Sequence, residues 1–166
     1  MDIFEFAMQK EKYAEDYYVE LSKKTGNEGL RNILKMLAGE ERKHLHVIQQ
    51  MQKESPQTVT ETDVLKDARE VFDRMRTSTE EFNLDVEELQ LYEKARDIEK
   101  DSRQFYSEKA EQATEATHKE IFTKLANEEK KHQLLLERIC DFVAKPQWFL
   151  ENAEMYRFDD YAQGTL

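Results

Sequence analysis

Glutamates and histidines recur in this chain at spacings that suit metal binding. A Glu is followed thirty residues later by a Glu-x-x-His sequence, and the same arrangement returns at a constant offset of 88 residues. The six residues are Glu11, Glu41, His44, Glu99, Glu129 and His132. Residues three apart share one helix face, so each Glu and His pair can reach one metal ion while its carboxylate bridges to a second. Mixed carboxylate and imidazole ligation suits iron or manganese, whereas structural zinc favours thiolates. The pattern predicts a dinuclear metal site.

Two other interpretations of these residues have to be weighed. A lone Glu-x-x-His means little in so acidic a chain, and Glu115 with His118 is such a copy, whose repeat counterpart lies near a turn and carries no ligands. We therefore exclude it. A metal-free polar core is the second alternative, but buried carboxylates without a cation cost several kcal/mol apiece or take up protons. Glu40 and Glu128 also repeat, and their i, i+4 spacing to the histidines leaves them open as alternative partners.

Long helices are the elements that would hold these residues. Only four Gly and two Pro occur among 166 residues, which indicates an all-α protein. Apolar residues recur at spacings of three and four along four segments, and the six candidate ligands fall on the same faces. The four predicted faces comprise Ala7, Glu11, Ala14, Tyr18 and Leu21; Leu30, Leu34, Leu37, Glu41, His44, Ile48 and Met51; Leu91, Ala95, Glu99, Ser102 and Tyr106; and His118, Phe122, Leu125, Glu129, His132, Leu136 and Ile139.

The two halves of the chain are related by an internal repeat. Residues 5–44 superpose on 93–132 without a gap and share thirteen identities in forty positions. A duplicated helical hairpin explains this match and predicts a single-domain four-helix bundle over 1–166 with pseudo-two-fold symmetry. We assign the hairpins to 3–54 and 86–144, a long connection with a short crossing helix to 55–85, and a C-terminal tail to 145–166.

Composition excludes several classes of function. The net charge of -11 and the lack of a basic stripe argue against nucleic acid as a partner. Cys140 is the single cysteine, which excludes an internal disulfide and favours a small buried residue in a reducing compartment. No signal peptide is recognisable at Met1 and no apolar run approaches the ~20 residues that cross a bilayer. We expect a cytoplasmic protein without a membrane partner.

Two tyrosines accompany the candidate ligands. Tyr18 and Tyr106 each follow a face glutamate by seven residues. A phenol at this position could donate a hydrogen bond to a metal-bound carboxylate. The alternative is that both are ordinary aromatic residues of the bundle core.

At this level the sequence resembles the ferritin-like di-iron carboxylate proteins, and among them the rubrerythrin-like branch. The segments that begin at Glu11-Lys12 and Glu99-Lys100 look like the family's E-K-x-x-x-x-F/Y-Y helices, and 40–44 and 128–132 look like its E-E-x-K-H helices. The resemblance covers about residues 3–144. Rubrerythrin proper also carries a rubredoxin module with two Cys-x-x-Cys pairs and a further carboxylate ligand where this chain has Ser102.

The resemblance implies a ferritin-like bundle with two iron ions, or with manganese or zinc, that reduces peroxide or dioxygen. In that scheme Glu41 and Glu129 bridge the metals, Glu11 and Glu99 are terminal ligands, and each histidine holds one ion. An external electron donor, not identified by the sequence, would return the electrons. Two alternatives stay open: a ferroxidase or iron-handling protein, and a non-catalytic bundle that a metal such as zinc stabilises.

The C-terminal tail is rich in aromatic residues. Trp148, Phe149, Tyr156, Phe158 and Tyr161 lie within a short segment after Pro146, which should end the preceding helix. So apolar a segment should pack either on its own bundle or on a second subunit. Aromatic tails also occur on rubrerythrin-like proteins without a rubredoxin module, and we predict a homodimer.

Overall fold

Helices form most of the part of the chain that the structure describes. The structure is a computed structural model, and it describes residues 1–55, 58–78, 82, 84 and 86–158. Its helices are α1 (Ile3–Lys24), α2 (Glu28–Gln52), α3 (Val64–Thr77), α4 (Val86–Gln112), α5 (Ala116–Ala144) and α6 (Pro146–Glu151), followed by a 3₁₀ turn at Ala153–Met155. No strand occurs in these residues. The predicted all-α, ferritin-like bundle is confirmed.

Two helical hairpins form the bundle. Helix α1 packs along α2 and α4 packs along α5. The first hairpin turns tightly because Asn27 caps α2, its side-chain oxygen accepting a hydrogen bond from the Leu30 amide at 2.9 Å. At the start of α1, Asp2 and Glu5 form a reciprocal capping box. These caps fix where α1 and α2 begin, and therefore which of their residues face the neighbouring helix.

A polar layer divides the bundle core. One apolar cluster includes Tyr18, Leu37 and Leu135, and the other includes Ile48 and Leu125. The candidate ligands lie between the two clusters along each helix, at positions that are also buried. Apolar packing on both sides therefore holds the polar layer in place.

The connection between the hairpins crosses the bundle as α3. The apolar face of this helix is buried: Val64, Leu65, Ala68, Val71, Phe72 and Met75. Helix α3 contacts both α2 and α5, and it approaches the first turn of α2 closely at Gly29. A Cβ atom at Gly29 would lie 1.9 Å from the Met75 methyl carbon, so a larger residue there would require the flexible Met75 side chain to move.

The aromatic tail packs on its own bundle as far as Phe158. Pro146 ends α5, as predicted, and it is also the first residue of α6. The rings of Phe149 and Tyr156 lie 5.1 Å and 5.6 Å from that of Phe72 on α3, while Trp148 is 52% exposed. Tyr161 lies outside the described residues. Because the described tail covers its own bundle, it does not bear on the homodimer, which stays a prediction.

Candidate metal centre

All six predicted ligands meet in the buried polar layer. They are between 0 and 3% exposed. Two overlapping groups have one oxygen or nitrogen atom per residue within 4.8 Å of the others. The first group is Glu11, Glu41, His44 and Glu129, and the second is Glu41, Glu99, Glu129 and His132. Two positions for a cation therefore share a pair of glutamates.

The shared glutamates each present one oxygen to each imidazole. Glu41 places Oε1 3.0 Å from His132 Nδ1 and Oε2 3.8 Å from His44 Nδ1. Glu129 mirrors this arrangement, with Oε1 2.9 Å from His44 Nδ1 and Oε2 3.7 Å from His132 Nδ1. Such carboxylates are oriented to bridge two cations, and the Nδ1 atoms are the ring nitrogens that face the centre.

The remaining two glutamates each approach one histidine. Glu11 Oε2 lies 3.7 Å from His44 Nδ1, and Glu99 Oε1 lies 3.6 Å from His132 Nδ1. Glu11 lies on α1 and Glu99 lies on α4, which are the first helices of the two hairpins. The geometry suits a terminal ligand for each cation.

The two tyrosines connect the hairpins at the site. The Tyr18 hydroxyl donates a hydrogen bond to Glu99, and the Tyr106 hydroxyl donates one to Glu11. Each phenol therefore reaches the terminal glutamate of the other hairpin. The hydrogen bonds orient both carboxylates, and burial together with the neighbouring carboxylate charge raises the pKa of each phenol well above its usual value, so the hydroxyls stay protonated.

The carboxylates divide into proton-holding and ionised groups. Burial and the charges of Glu129 and Glu99 raise the pKa of Glu41 well above its usual value. Burial and the charge of Glu129 also raise the pKa of Glu99 to about 7. Burial acts in the same sense on Glu11 and Glu129, but hydrogen bonds from their neighbours outweigh it and lower both pKa values.

Burial acts on the pKa values of the two histidines in the opposite direction from its effect on the carboxylates. Burial alone would lower the pKa values of His44 and His132, yet contacts with the carboxylates raise both well above their usual value. The metal-free cluster thus holds two imidazolium protons and the Glu41 proton near neutral pH. These protons offset the carboxylate charges that cations would otherwise balance.

Metal binding is expected to displace about three to four protons per chain near pH 7, from His44, His132, Glu41 and in part from Glu99, whose pKa is about 7. The groups with raised pKa values hold protons in the metal-free protein, so protons compete with the cation and the metal affinity should rise with pH. Titration with cobalt(II) in weakly buffered indicator solution measures the release. Binding of two ions without proton release would contradict the assigned protonation states.

The residues present fit a dinuclear cation site. Glu129 Oε2 and His132 Nε2 are buried without a hydrogen-bond partner among the described residues. A buried carboxylate oxygen without a donor is costly, and a cation beside it removes that cost. Oxygen and imidazole donors suit iron, manganese or zinc, and four carboxylates formally balance two divalent ions. The cluster is compatible with a di-iron site.

Glu40 and Glu128 differ in surroundings although the repeat makes them equivalent. An oxygen of each lies within 4.8 Å of a ring nitrogen of His44. Glu128 is 3% exposed and accepts a hydrogen bond from the Thr62 amide at 3.0 Å, whereas Glu40 is only half-buried. The connection that carries Thr62 has no counterpart in the other half, so the repeat alone gave no signal for this contact.

Three other features bear on the predicted site: the excluded pair of Glu115 and His118, Ser102, and Glu15. Glu115 and His118 pair at 3.5 Å near the far end of the bundle, with the Glu115 side chain 69% exposed, and are not part of the buried groups. Ser102 is buried. Sequence reasoning missed the buried Glu15, whose Oε1 lies 2.8 Å from an Arg42 nitrogen; their spacing across the hairpin turn was the available signal.

No helix within the described ranges combines the length and apolar composition needed to span a bilayer.

One of three comparisons with known proteins found a match, and that match agrees with this site. No curated protein and no solved structure matched the chain. The family model described as Rubrerythrin matches residues 2–140, which is most of the chain and spans every residue of the buried centre. The chain therefore belongs to the rubrerythrin family, whose ferritin-like domain carries a di-metal carboxylate site.

Proposed function

We propose that this protein holds two iron ions and reduces hydrogen peroxide or dioxygen, with electrons from an external donor. The observation that carries the proposal is the pair of overlapping ligand groups that share Glu41 and Glu129. Shared carboxylates place two cations side by side, where one substrate molecule can meet both. Manganese or zinc remains an alternative occupant of the same ligands.

Two ferrous ions in this centre would supply the two electrons that, with two protons, convert hydrogen peroxide into two molecules of water. The protein contributes positioning and exclusion of bulk water. Glu41 and Glu129 face both cation positions, while Tyr18 and Tyr106 hold the terminal carboxylates by hydrogen bonds. The four carboxylates would balance the charge of two ferrous ions, so that the reduced centre would carry no net charge in a low-dielectric core.

Stopped-flow mixing of the anaerobically iron-loaded protein with each oxidant tests the proposal. We expect rapid oxidation of both ferrous ions by peroxide or by dioxygen, and repeated turnover once a reductant is added. Oxidation by dioxygen alone, with ferric iron released or stored, would favour a ferroxidase. Retention of zinc after iron loading, without oxidant-dependent absorption, would show a non-catalytic centre and contradict the proposal.

Removing one phenol is expected to weaken metal binding while leaving two ions per chain. In Tyr18→Phe, Glu99 loses its hydrogen-bond donor, and loss of such a partner behind a ligand costs roughly 10 to 100-fold in metal affinity. Competition with a chelator measures the change. Tyr92→Phe is the matched control, because this buried tyrosine donates to Glu88, away from the centre. Equal metal affinities in the wild type, Tyr18→Phe and Tyr92→Phe would contradict the role given to Tyr18.

A further inference from the structure

We propose that divalent cations reach the buried centre through a cleft beside His44, between α2 and the connection that precedes α3. The cleft has a volume of about 610 Å³, and its walls include Gly39, Glu40, His44, Val59 and Thr60. This inference rests on the proposed metal site and concerns how that site is filled.

A route is needed because the six predicted ligands are at most 3% exposed. Among them, His44 lines this cleft, whereas its repeat counterpart His132 is 0% exposed. The connection contributes to this difference, because Thr58, Val59 and Thr60 form one wall of the cleft beside His44. The pseudo-symmetry of the ligands is therefore broken on the side where a cation can approach.

The cleft carries charges of both signs, because Arg42 and Lys43 line it together with Glu40, and the Arg42 charge is paired with Glu15 at 2.8 Å. Oxygen atoms of Glu40 and Glu128 lie within 4.8 Å of a His44 ring nitrogen. Each of these carboxylates is paired with a lysine: Lys43 Nζ lies 3.5 Å from Glu40, and Lys131 Nζ lies 3.4 Å from Glu128. A divalent cation on its way inward can replace these ammonium groups and pair with the carboxylates beside His44.

A second cleft, between α1 and α4, is a poorer entrance. It has a volume of about 250 Å³, and its walls contain Gln9, Lys10 and Ser102 but none of the six predicted ligands. Its walls carry Lys10 and Asp101, one charge of each sign, and the Lys10 ammonium lies 5.7 Å from the centre of the Phe6 ring and 5.6 Å from that of Phe105. This cleft therefore serves as the matched control.

A residue on an entry route has a distinct kinetic effect. It alters the rates of metal uptake and release together and leaves stoichiometry and affinity unchanged, whereas a ligand alters the affinity. Gly39 is a suitable position for an obstruction, because a Cβ atom there would meet nothing within 4 Å. Glu40 is the complementary position, because removing its charge leaves the cleft open.

The test follows cobalt(II) uptake by the metal-free full-length protein, and its release to a chelator, by visible absorption. In Gly39→Phe we expect both rates to fall by about tenfold, which corresponds to a barrier higher by about 1.4 kcal/mol. In Glu40→Gln we expect uptake and release both to slow by roughly tenfold, because the carboxylate no longer stabilises a cation that passes in either direction. Both variants should still bind two cobalt ions per chain with the affinity of the wild type. Gln9→Phe, at the second cleft, should load at the wild-type rate.

Unchanged uptake in Gly39→Phe, or equal slowing in Gln9→Phe, would overturn the route while leaving the metal site intact. If Gly39→Phe fails to fold, Glu40→Gln decides: slower uptake with unchanged affinity supports the route, and an unchanged rate overturns it. Loss of one bound ion in Glu40→Gln would make Glu40 a ligand and would also overturn it. A wild-type protein that binds no cobalt would instead overturn the proposed function.

Discussion

Replacing Glu41 with alanine is expected to reduce tight metal binding from two ions per chain to at most one. The two oxygens of Glu41 face different imidazoles, at 3.0 Å from His132 Nδ1 and 3.8 Å from His44 Nδ1. The substitution therefore removes a donor from both cation positions. The loss should exceed the roughly 10 to 100-fold that removal of a partner behind a ligand costs.

Elemental analysis after equilibrium dialysis, with chelator competition, measures this loss. Glu115→Ala is the matched control, because Glu115 also stands three residues before a histidine but its side chain is 69% exposed. The control should retain two ions per chain. Retention of two tightly bound ions in Glu41→Ala would show that this carboxylate is not a shared ligand.

Loading the centre with metal is expected to raise the free energy of unfolding by about 4 kcal/mol for each bound ion when the free metal concentration is 1,000 times its dissociation constant. The metal-free core holds four carboxylates, of which Glu41 and Glu99 have raised pKa values because of burial and mutual repulsion. Cations relieve this repulsion and bind the folded state in preference to the unfolded chain, in which the two hairpins are separated.

Urea unfolding in the presence of metal, and again with excess chelator, gives the difference directly. Glu41→Ala should show a much smaller gain at the same free metal concentration, because it keeps at most one tight site. Identical unfolding midpoints with metal and with chelator would contradict a cation site in the core of the bundle.

The sequence was sufficient to predict the four long helices and the convergence of six side chains. Helical periodicity placed Glu41 and His44 among leucines, and the repeat placed Glu129 and His132 in the same setting. Both signals are local, because they depend on spacing along one helix or on comparison of two segments. The all-α fold followed for the same reason.

Contacts between distant segments could not be predicted in this way. The Tyr18 hydroxyl donates a hydrogen bond to Glu99 of the other hairpin, and this contact depends on how the two hairpins pack together. Glu128 is buried because the connection reaches it through Thr62, although the repeat equates it with the half-buried Glu40. The close crossing at Gly29 likewise depends on where α3 lies.

The central claim is that the shared carboxylates hold two metal ions in one buried centre. Anaerobic titration of the metal-free protein with ferrous iron, followed by removal of unbound iron and elemental analysis, tests it most directly. We predict saturation at two iron ions per chain in the wild type. Saturation at one ion per chain, or no retained iron, would contradict the account.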